Sequence, residues 1–204
     1  MAYQTKKSRN ELLGTFKSLL GGSIGTAVEI GTYQAEFANQ IISHTKPDQF
    51  YAVDPYQYFP SEEDRTGNPG PEFQSQDRLD KLALRIAETL ANKSTPAELI
   101  REPSVTAAAK FADGSLDFVY IDGDHSYAGV TEDILAWYPK LRTGGVLAGH
   151  DYCPGNPQRG HVYGVIQAVD EFAEKNGYSN LTTNTEPYAT WFIQKGNKTD
   201  KLVD

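Results

Sequence analysis

The sequence predicts an α/β fold with a mostly parallel sheet, helices on both faces and an antiparallel hairpin at the C-terminal end. From residue 26 onward, short apolar runs rich in β-forming residues alternate with amphipathic segments of helix length, which is the pattern of βαβ units. The runs lack polar alternation, as expected for parallel strands that are buried on both faces. The last two runs are close enough in sequence to pair antiparallel at the edge of the sheet.

Seven strands and six helices follow from this pattern. The expected strands are "TAVEI" (26–30), "QFYAVD" (49–54), "AELIRE" (97–102), "LDFVYI" (116–121), "GVLAG" (145–149) and two runs near "NLTTN" and "ATWFIQK". Helices are expected in residues 1–22, closed by the pair "GG", and at about 33–44, 75–92, 105–110, 127–141 and 162–176. In the helix at 127–141, Val130, Ile134, Trp137 and Leu141 fall on one face.

The chain length of 204 residues predicts a single domain over 1–204. Residues 57–76, "QYFPSEEDRTGNPGPEFQSQ", are rich in Gly, Pro and acids and predict a long surface loop. A loop of this length in a compact domain is more often a functional lid than a passive connection.

Composition excludes several kinds of partner. The net charge of -8 has the wrong sign for binding a phosphate backbone, so no nucleic acid is expected. No apolar run approaches a membrane span and the start of the chain lacks the features of a signal peptide, so no membrane association and a cytoplasmic location are expected. The single cysteine, Cys153, has no partner for a disulfide or a thiolate metal site.

The residues after the first two predicted strands suit a nucleoside. Ligands of open α/β sheets bind beyond the carboxyl ends of the strands. Glu29 ends the first strand, Gly31 follows in the turn, and a helix begins near Tyr33, which offers free N–H groups. Asp54 ends the second strand, at a spacing that suits ribose hydroxyls. The stretch "GTYQAE" has only the first glycine of a G-x-G-x-x-G motif, so a cofactor without a pyrophosphate is favoured.

Four segments taken in order resemble one family. The segments are "VEIGTYQAEFA", "FADGSLDFVYIDGDHSY", "KLRTGGVLAGHDY" and "YGVIQAVDEF". They resemble the class I S-adenosylmethionine-dependent methyltransferases, in particular the small-molecule O-methyltransferase branch with catechol and macrocin O-methyltransferase-like proteins. The resemblance covers about 26–195 and implies a Rossmann-like, seven-stranded methyltransferase sheet.

The resemblance also implies roles for individual residues in binding S-adenosylmethionine. Glu29 and Gly31 would line the methionine part of the cofactor, and Tyr33 would lie beside them in the turn. Asp54 would bind the ribose, Ser104 would meet the adenine edge, and Asp122 would also contact the cofactor. The usual glycine at the end of the turn is Ala35 in this sequence.

In this fold the fourth and fifth predicted strands are neighbours, so the residues that follow them converge. Asp122, His150 and Asp151 could therefore surround a divalent metal. Mg²⁺ is the first choice, Mn²⁺ and Ca²⁺ also suit oxygen-rich ligands, and the imidazole widens the list to Fe and Zn. The family pattern has an acid–amide pair where this chain has His150 and Asp151. His125 stands where catechol-type enzymes have a general base, and an imidazole can take a hydroxyl proton at neutral pH.

Structural alternatives exist for several of these residues. Asp122 and Asp124 compete with Ser126 as caps of the next helix. His150 could be a buried histidine bonded to a loop, and Asp151 a turn residue. Asp54 could be a strand-end acid without a ligand.

The function predicted from the sequence is transfer of a methyl group from S-adenosylmethionine to a hydroxyl of a small-molecule acceptor, with a divalent metal as an optional aid. A metal-dependent oxygenase or hydrolase on the same scaffold is the first alternative. A non-catalytic cofactor-binding protein is the second. A homodimer is left open, because the leading helix could cover its own sheet or that of a partner.

Overall fold

The computed structural model describes residues 2–58, 75–156, 161–179 and 181–198. The strands are β1 (Tyr3–Thr5), β2 (Thr26–Ile30), β3 (Gln49–Val53), β4 (Ala97–Ile100), β5 (Leu116–Ile121), β6 (Leu141–Gly149), β7 (Gly155–Asn156), β8 (His161–Val162), β9 (Thr182–Asn184) and β10 (Trp191–Gln194). The helices are α1 (Arg9–Leu19), α2 (Glu36–Thr45), α3 (Gln76–Ala91), α4 (Ser104–Ala108), α5 (Tyr127–Trp137) and α6 (Val165–Lys175).

Eight of these strands form one sheet in the order β1-β9-β10-β6-β5-β2-β3-β4, and β7 and β8 pair separately. The five strands from β6 to β4 are parallel to one another. Strand β10 runs antiparallel to both β6 and β9. The predicted fold class and the C-terminal hairpin are therefore confirmed. The strand order reverses at β2, which has β3 on one side and β5 on the other. Open α/β sheets bind their ligands at such a point.

The sheet has eight strands instead of the predicted seven, and the hairpin is not its edge. Residues Tyr3–Thr5, expected in the leading helix, pair with Thr182–Asn184 as a parallel edge strand. The helix starts later because Ser8 caps it. The Ser8 side chain accepts from the backbone of Glu11, and the Glu11 side chain accepts from the backbone of Ser8, so both ends of a capping box are present.

The helix predicted at 127–141 ends at Trp137 and continues only as a single 3-10 turn over Tyr138–Lys140. Pro139 lies in this turn, and a proline cannot donate the next helical hydrogen bond. Leu141 was predicted to be on the helix face, which is wrong. It starts β6, which is longer than the predicted 145–149 and pairs with β5 from Leu116 onward.

Helices cover both faces of the sheet, as predicted. On one face α1, α2 and α3 pack over alternate strand residues that include Ala27, Phe50, Phe118 and Val146. On the other face α4, α5 and α6 pack over Val28, Val53, Val119 and Leu147. The leading helix covers its own sheet, since Phe16 is fully buried against the rings of Phe118 and Phe192.

Most of the loop predicted to be a lid lies outside the described residues, which omit 59–74. Residues 157–160 of the connection after β6 also lie outside them. Among the residues that are described, no helix has the length and apolar character needed to cross a membrane.

Helix α2 ends at a residue whose backbone favours glycine. Lys46 is exposed, has a φ of 49°, and donates its backbone N–H to the carbonyl of Ile42. A side chain in this left-handed region is strained, whereas glycine is not. We expect Lys46→Gly to raise the free energy of unfolding by ~0.5–1 kcal/mol in urea denaturation. The Lys46→Ala variant keeps the Cβ and is the matched control; an equal gain there would contradict the backbone explanation.

Candidate active site at the carboxyl edge of the sheet

The residues predicted to carry function lie mainly at the carboxyl ends of β2, β3, β5 and β6. Backbone hydrogen bonds join these ends: Gly31 donates to Val53 at 2.9 Å, Asp122 to Ile30 at 2.8 Å, and His150 to Ile121 at 3.0 Å. The strand ends therefore hold Glu29, Asp54, Asp122 and Asp151 along one edge. This is the convergence expected from parallel neighbours.

Gly31 makes this close approach possible. It has a φ of 82°, and a Cβ added there would lie 2.1 Å from the carbonyl oxygen of Asp122 and 2.6 Å from the Cα of Gly123. Glycine was expected at this turn so that a ligand could approach the backbone. In the structure, the group that approaches is the backbone that follows β5.

The turn after β2 is tightly wound. Tyr33 and Ala35 have φ values of 46° and 60°, so Ala35 adopts a conformation that favours glycine. This agrees with the glycine expected at that position in the related family. Ala35 is fully buried, so its methyl group contributes to the core in compensation.

Glu29 is buried within this edge. It is 2% exposed, and the hydroxyl of Thr32 donates to its Oε2 at 2.9 Å. Burial raises the pKa of Glu29 to about 8, and the charge of Asp122 adds to the effect, against the Thr32 hydrogen bond and the charge of Arg9. Glu29 therefore carries its proton at neutral pH when no ligand is bound.

Asp54 organises the two turns beside it. Its Oδ2 accepts from the backbone N–H of Tyr33 and its Oδ1 from that of Tyr56, both at 2.9 Å. Burial raises its pKa, against the effect of these two hydrogen bonds. A carboxylate oxygen can accept two hydrogen bonds, so the two that Asp54 accepts here leave acceptor capacity for ribose hydroxyls.

Two carboxylates and two imidazoles meet beyond β5 and β6. The Nε2 of His125 lies 3.1 Å from Oδ2 of Asp151 and 3.8 Å from Oδ1 of Asp122. The Nδ1 of His150 lies 3.3 Å and 3.8 Å from the same two oxygens. Among the described residues, the donor atoms that all lie within 4.8 Å of one another belong to Asp122, His125 and Asp151. The predicted base is thus as close to the two acids as the predicted ligand His150.

The environment of His125 makes its imidazole more basic. Both ring nitrogens are buried; Nε2 lies 3.1 Å from the Asp151 carboxylate, whereas Nδ1 has no hydrogen-bond partner. Burial would lower the pKa of His125, but the nearby carboxylates of Asp122 and Asp151 outweigh it and raise the pKa. For Asp122, burial would raise the pKa, but the His125, Arg9 and His150 side chains hold it well below its usual range.

The structure decides between several of the alternatives left open. The helix cap is Ser126, whose Oγ accepts from the backbone of Gly129 at 3.1 Å. Asp124 supports this turn by accepting from the backbone of Ser126 at 2.8 Å, so Asp122 is not used as the cap. Asp151 is both a turn residue, with a φ of 57°, and a member of the carboxylate cluster.

Ser104 lies at the start of α4, next to a buried acid that the sequence analysis missed. The Oγ of Ser104 accepts from Nε1 of Trp137 at 2.8 Å. Asp133, on α5, is 5% exposed. Burial raises its pKa to about 7, and Asp124 and Glu132 add to this, against a hydrogen bond with Ser104. The signal was present: Asp133 falls between Val130 and Trp137 on the apolar face of the predicted helix.

Arg9 was also missed, although it lies within the cluster. Its Nη2 is 2.6 Å from Oδ2 of Asp122. An adjoining cleft of about 480 Å³ is open to solvent. The cleft is lined by Ser8, Arg9, Asn10, Glu36, Phe37, Gln40, His150, Glu186, Pro187 and Tyr188. Nothing near "TKKSRNELL" indicates in sequence that the arginine reaches the end of β5.

The family model described as "Methyltransferase domain" matches residues 28–152, which is more than half of the chain. The chain belongs to this methyltransferase family. The match runs from the middle of β2 to just beyond the His150–Asp151 pair, so it includes the ends of β2, β3, β5 and β6. The class I methyltransferase assignment is thereby confirmed. No curated protein is significantly similar to the chain in sequence.

Solved methyltransferases share the fold at low sequence identity. The O-methyltransferase NovP is 16% identical with a TM-score of 0.61, over 92% of this chain and 79% of NovP. The N-methyltransferase NodS from Bradyrhizobium japonicum, in complex with S-adenosyl-L-homocysteine, is 14% identical with a TM-score of 0.57, over 93% and 86%. The O-methyltransferase TomG from Streptomyces achromogenes, in complex with SAM, is 15% identical with a TM-score of 0.55, over 93% and 82%.

The contact at Gly31 generates a stability prediction. A Cβ there meets backbone atoms that cannot rotate away, so the ends of β2 and β5 must separate. We expect Gly31→Ala to lower the free energy of unfolding by more than ~3 kcal/mol. Gly114→Ala is the matched control, because Gly114 has a φ of 73° with nothing within 4 Å of an added Cβ. That variant should lose only ~1–2 kcal/mol, and equal losses in the two variants would contradict the steric explanation.

The buried acid Asp133 generates a pH prediction. An acid whose pKa is raised on folding stabilises the folded protein most when it is protonated. The contribution of Asp133 to the free energy of unfolding therefore falls as the pH rises from the pKa of the unfolded chain to the folded pKa of about 7, and it is constant above that. Asp133→Asn removes this dependence. From pH 5 to pH 8, we expect the free energy of unfolding of Asp133→Asn, measured in urea against that of the wild-type protein, to improve by about 2 kcal/mol.

Glu174→Gln is the control for Asp133→Asn, since Glu174 is an exposed acid on α6. Its stability relative to the wild-type protein should not depend on pH over the same range. A pH-independent difference for Asp133→Asn would show that its carboxyl is charged in the folded protein at pH 5.

Proposed function

We propose that the protein transfers a methyl group from S-adenosylmethionine to a hydroxyl group of a small molecule. The observation that carries this proposal is the His125 imidazole, whose Nε2 lies 3.1 Å from the Asp151 carboxylate while its Nδ1 has no hydrogen-bond partner. A hydroxyl acceptor must lose its proton, and such an imidazole suits that task. The O-methyltransferases NovP and TomG share this fold, but so does the N-methyltransferase NodS, so the choice of oxygen as acceptor atom rests on His125.

In this proposal the nucleoside binds over the ends of β2, β3 and β4. Asp54 accepts from the ribose hydroxyls with the acceptor capacity that the turn amides leave. Ser104 and the first turn of α4 face the adenine, while Glu29, Gly31 and Tyr33 line the methionine part. Asp122 also borders the methionine part of the cofactor. When bound, S-adenosylmethionine supplies an electrophilic methyl group on a positively charged sulfur.

The acceptor enters through the cleft beside Arg9, Phe37 and Tyr188. Its volume of about 480 Å³ is within the range of small-molecule sites. His125 lies beyond the residues that line the cleft, beside Asp122 and Asp151, so the acceptor hydroxyl must reach past that lining. There His125 takes its proton as the oxygen–carbon bond forms and the carbon–sulfur bond breaks. His125 must be neutral to do so, and the carboxylates of Asp122 and Asp151 favour its protonated form. The rate is therefore expected to rise with pH through a value above that of an ordinary histidine.

A divalent metal fits the cluster in part. Ligands of one Mg²⁺ lie ~2.1 Å from it and hence up to ~4.2 Å from each other. The atoms of Asp122, Asp151 and the imidazoles are near this range, with only small movements required. Asp122, Asp151 and His150 would then hold the metal, which would lower the pKa of an acceptor hydroxyl. One oxygen of Asp122, however, is already paired with Arg9.

Calorimetric titration with S-adenosylmethionine tests the cofactor part of the proposal. Glu29 has a pKa of about 8 without ligand, and a positively charged ligand beside it favours the carboxylate. We therefore expect binding at pH 7 to release a proton, seen as a binding enthalpy that differs between Tris and phosphate buffers. In Glu29→Gln this difference should disappear. Asp54→Asn should weaken binding at least ~tenfold, through the loss of a charged acceptor.

His125→Ala is the matched control for these cofactor variants. It should bind S-adenosylmethionine nearly as the wild-type protein does, while losing turnover of any hydroxyl acceptor. If the wild-type protein fails to bind S-adenosylmethionine both with and without Mg²⁺, the proposal is overturned. An equal loss of cofactor affinity in His125→Ala and Asp54→Asn would overturn the role given to His125.

A further inference from the structure

Arg9 is held in place by the backbone around it. It is the first residue of α1, behind the Ser8 cap, and its own backbone N–H donates to Oε2 of Glu186 at 3.0 Å. The buried residues Leu12, Leu13 and Phe16 fix α1 against the sheet. The side chain of Arg9 therefore starts from a fixed point and reaches the end of β5, 113 positions away in sequence.

The guanidinium group lies within an aromatic and acidic environment. Its Cζ is 3.5 Å from the ring centroid of Phe37 and 5.0 Å from that of Tyr120. Its Nη2 pairs with Oδ2 of Asp122 at 2.6 Å, and the two side chains are 22% and 19% exposed. A partly buried pair held on a ring face is screened less than a pair on the open surface.

Asp122 uses its two oxygens differently. Oδ2 faces Arg9, while Oδ1 faces the imidazoles of His125 and His150, each 3.8 Å away. A divalent ion bound at Oδ1 and at Asp151 would lie within a few ångströms of the guanidinium. Like charges at that separation repel strongly in a poorly solvated site. Arg9 thus already neutralises Asp122 through Oδ2, the oxygen that a metal at Oδ1 would leave unused.

We propose that Arg9 is a positioning residue whose charge opposes a divalent cation at Asp122, so that the Arg9–Asp122 pair and a bound metal weaken one another. The inference rests on the proposed use of this cluster by a metal, and because Asp122 also borders the proposed cofactor site, cofactor binding is measured separately. Metal binding would weaken the contact of Arg9 with Asp122 and so alter the wall of the acceptor cleft, which Arg9 lines.

The test is a titration with Mn²⁺, in which electron paramagnetic resonance measures the free ion. We expect Arg9→Gln to bind Mn²⁺ at least ~tenfold more tightly than the wild-type protein, because a like charge is removed from the site. Arg9→Lys retains the charge and should remain within a few-fold of the wild-type protein. The double variant Arg9→Gln/Asp122→Asn should lose the gain, which would locate the ion at Asp122.

Two further variants serve as controls. Lys7→Gln removes the same charge close by in sequence, where Lys7 donates to Thr15 instead of Asp122, and it should bind Mn²⁺ as the wild-type protein does. Arg9→Met keeps an apolar stem over Phe37 and should show the same gain in Mn²⁺ affinity as Arg9→Gln. The proposal can therefore still be tested if one of the two variants folds poorly. Thermal unfolding followed by circular dichroism identifies such a variant.

Several results would overturn the inference. The first two are that the wild-type protein and Arg9→Gln bind Mn²⁺ equally tightly, or that neither binds it. The other two are that Lys7→Gln gains as much Mn²⁺ affinity as Arg9→Gln, or that the double variant keeps the gain. Binding of S-adenosylmethionine by Arg9→Gln is measured in parallel. Normal cofactor binding together with unchanged Mn²⁺ affinity would reject the role of Arg9 and leave the methyltransferase proposal intact.

Discussion

The strand ends at the centre of the sheet depend on one close contact between backbones. Gly31 lets the turn after β2 lie directly on the backbone at Asp122 and Gly123, where any larger residue would collide. Hydrogen bonds from Gly31 to Val53 and from Asp122 to Ile30 continue this contact across three strands. The side chains at these ends are therefore placed by backbone geometry, before any ligand arrives.

This convergence has an electrostatic cost, because four acids lie along one edge of the sheet. Each is stabilised in a different way. Glu29 stays protonated through burial, Asp54 accepts from two backbone N–H groups, and Asp122 pairs with Arg9. Asp151 lies next to the imidazoles of His125 and His150. The four acids therefore differ in protonation state and in partner, although they lie on one edge of the sheet.

The parts of the fold that the sequence predicted well are those with a strong local pattern. The apolar runs 26–30 and 116–121 are strands with the predicted bounds, since a buried parallel strand is marked by its own residues. The start of the chain was harder to predict. Residues 3–5 have no strand pattern of their own and are a strand only because β9, some 180 residues later, offers its edge. Helix α5 ends before Pro139. The proline was a local signal for this end, but the helical spacing of Leu141 led to the prediction of a longer helix.

The sequence by itself determined which residues stand at the ends of the strands, because the order of short apolar runs and the residues that follow them are local properties. It thus indicated Glu29, Asp54 and Asp122 as candidates. Only the tertiary structure decided their partners. Arg9 reaches Asp122 across 113 positions, and Asp133 is buried by the packing of α5 on α4. Such contacts depend on how whole elements pack, and no spacing along the chain encodes that packing.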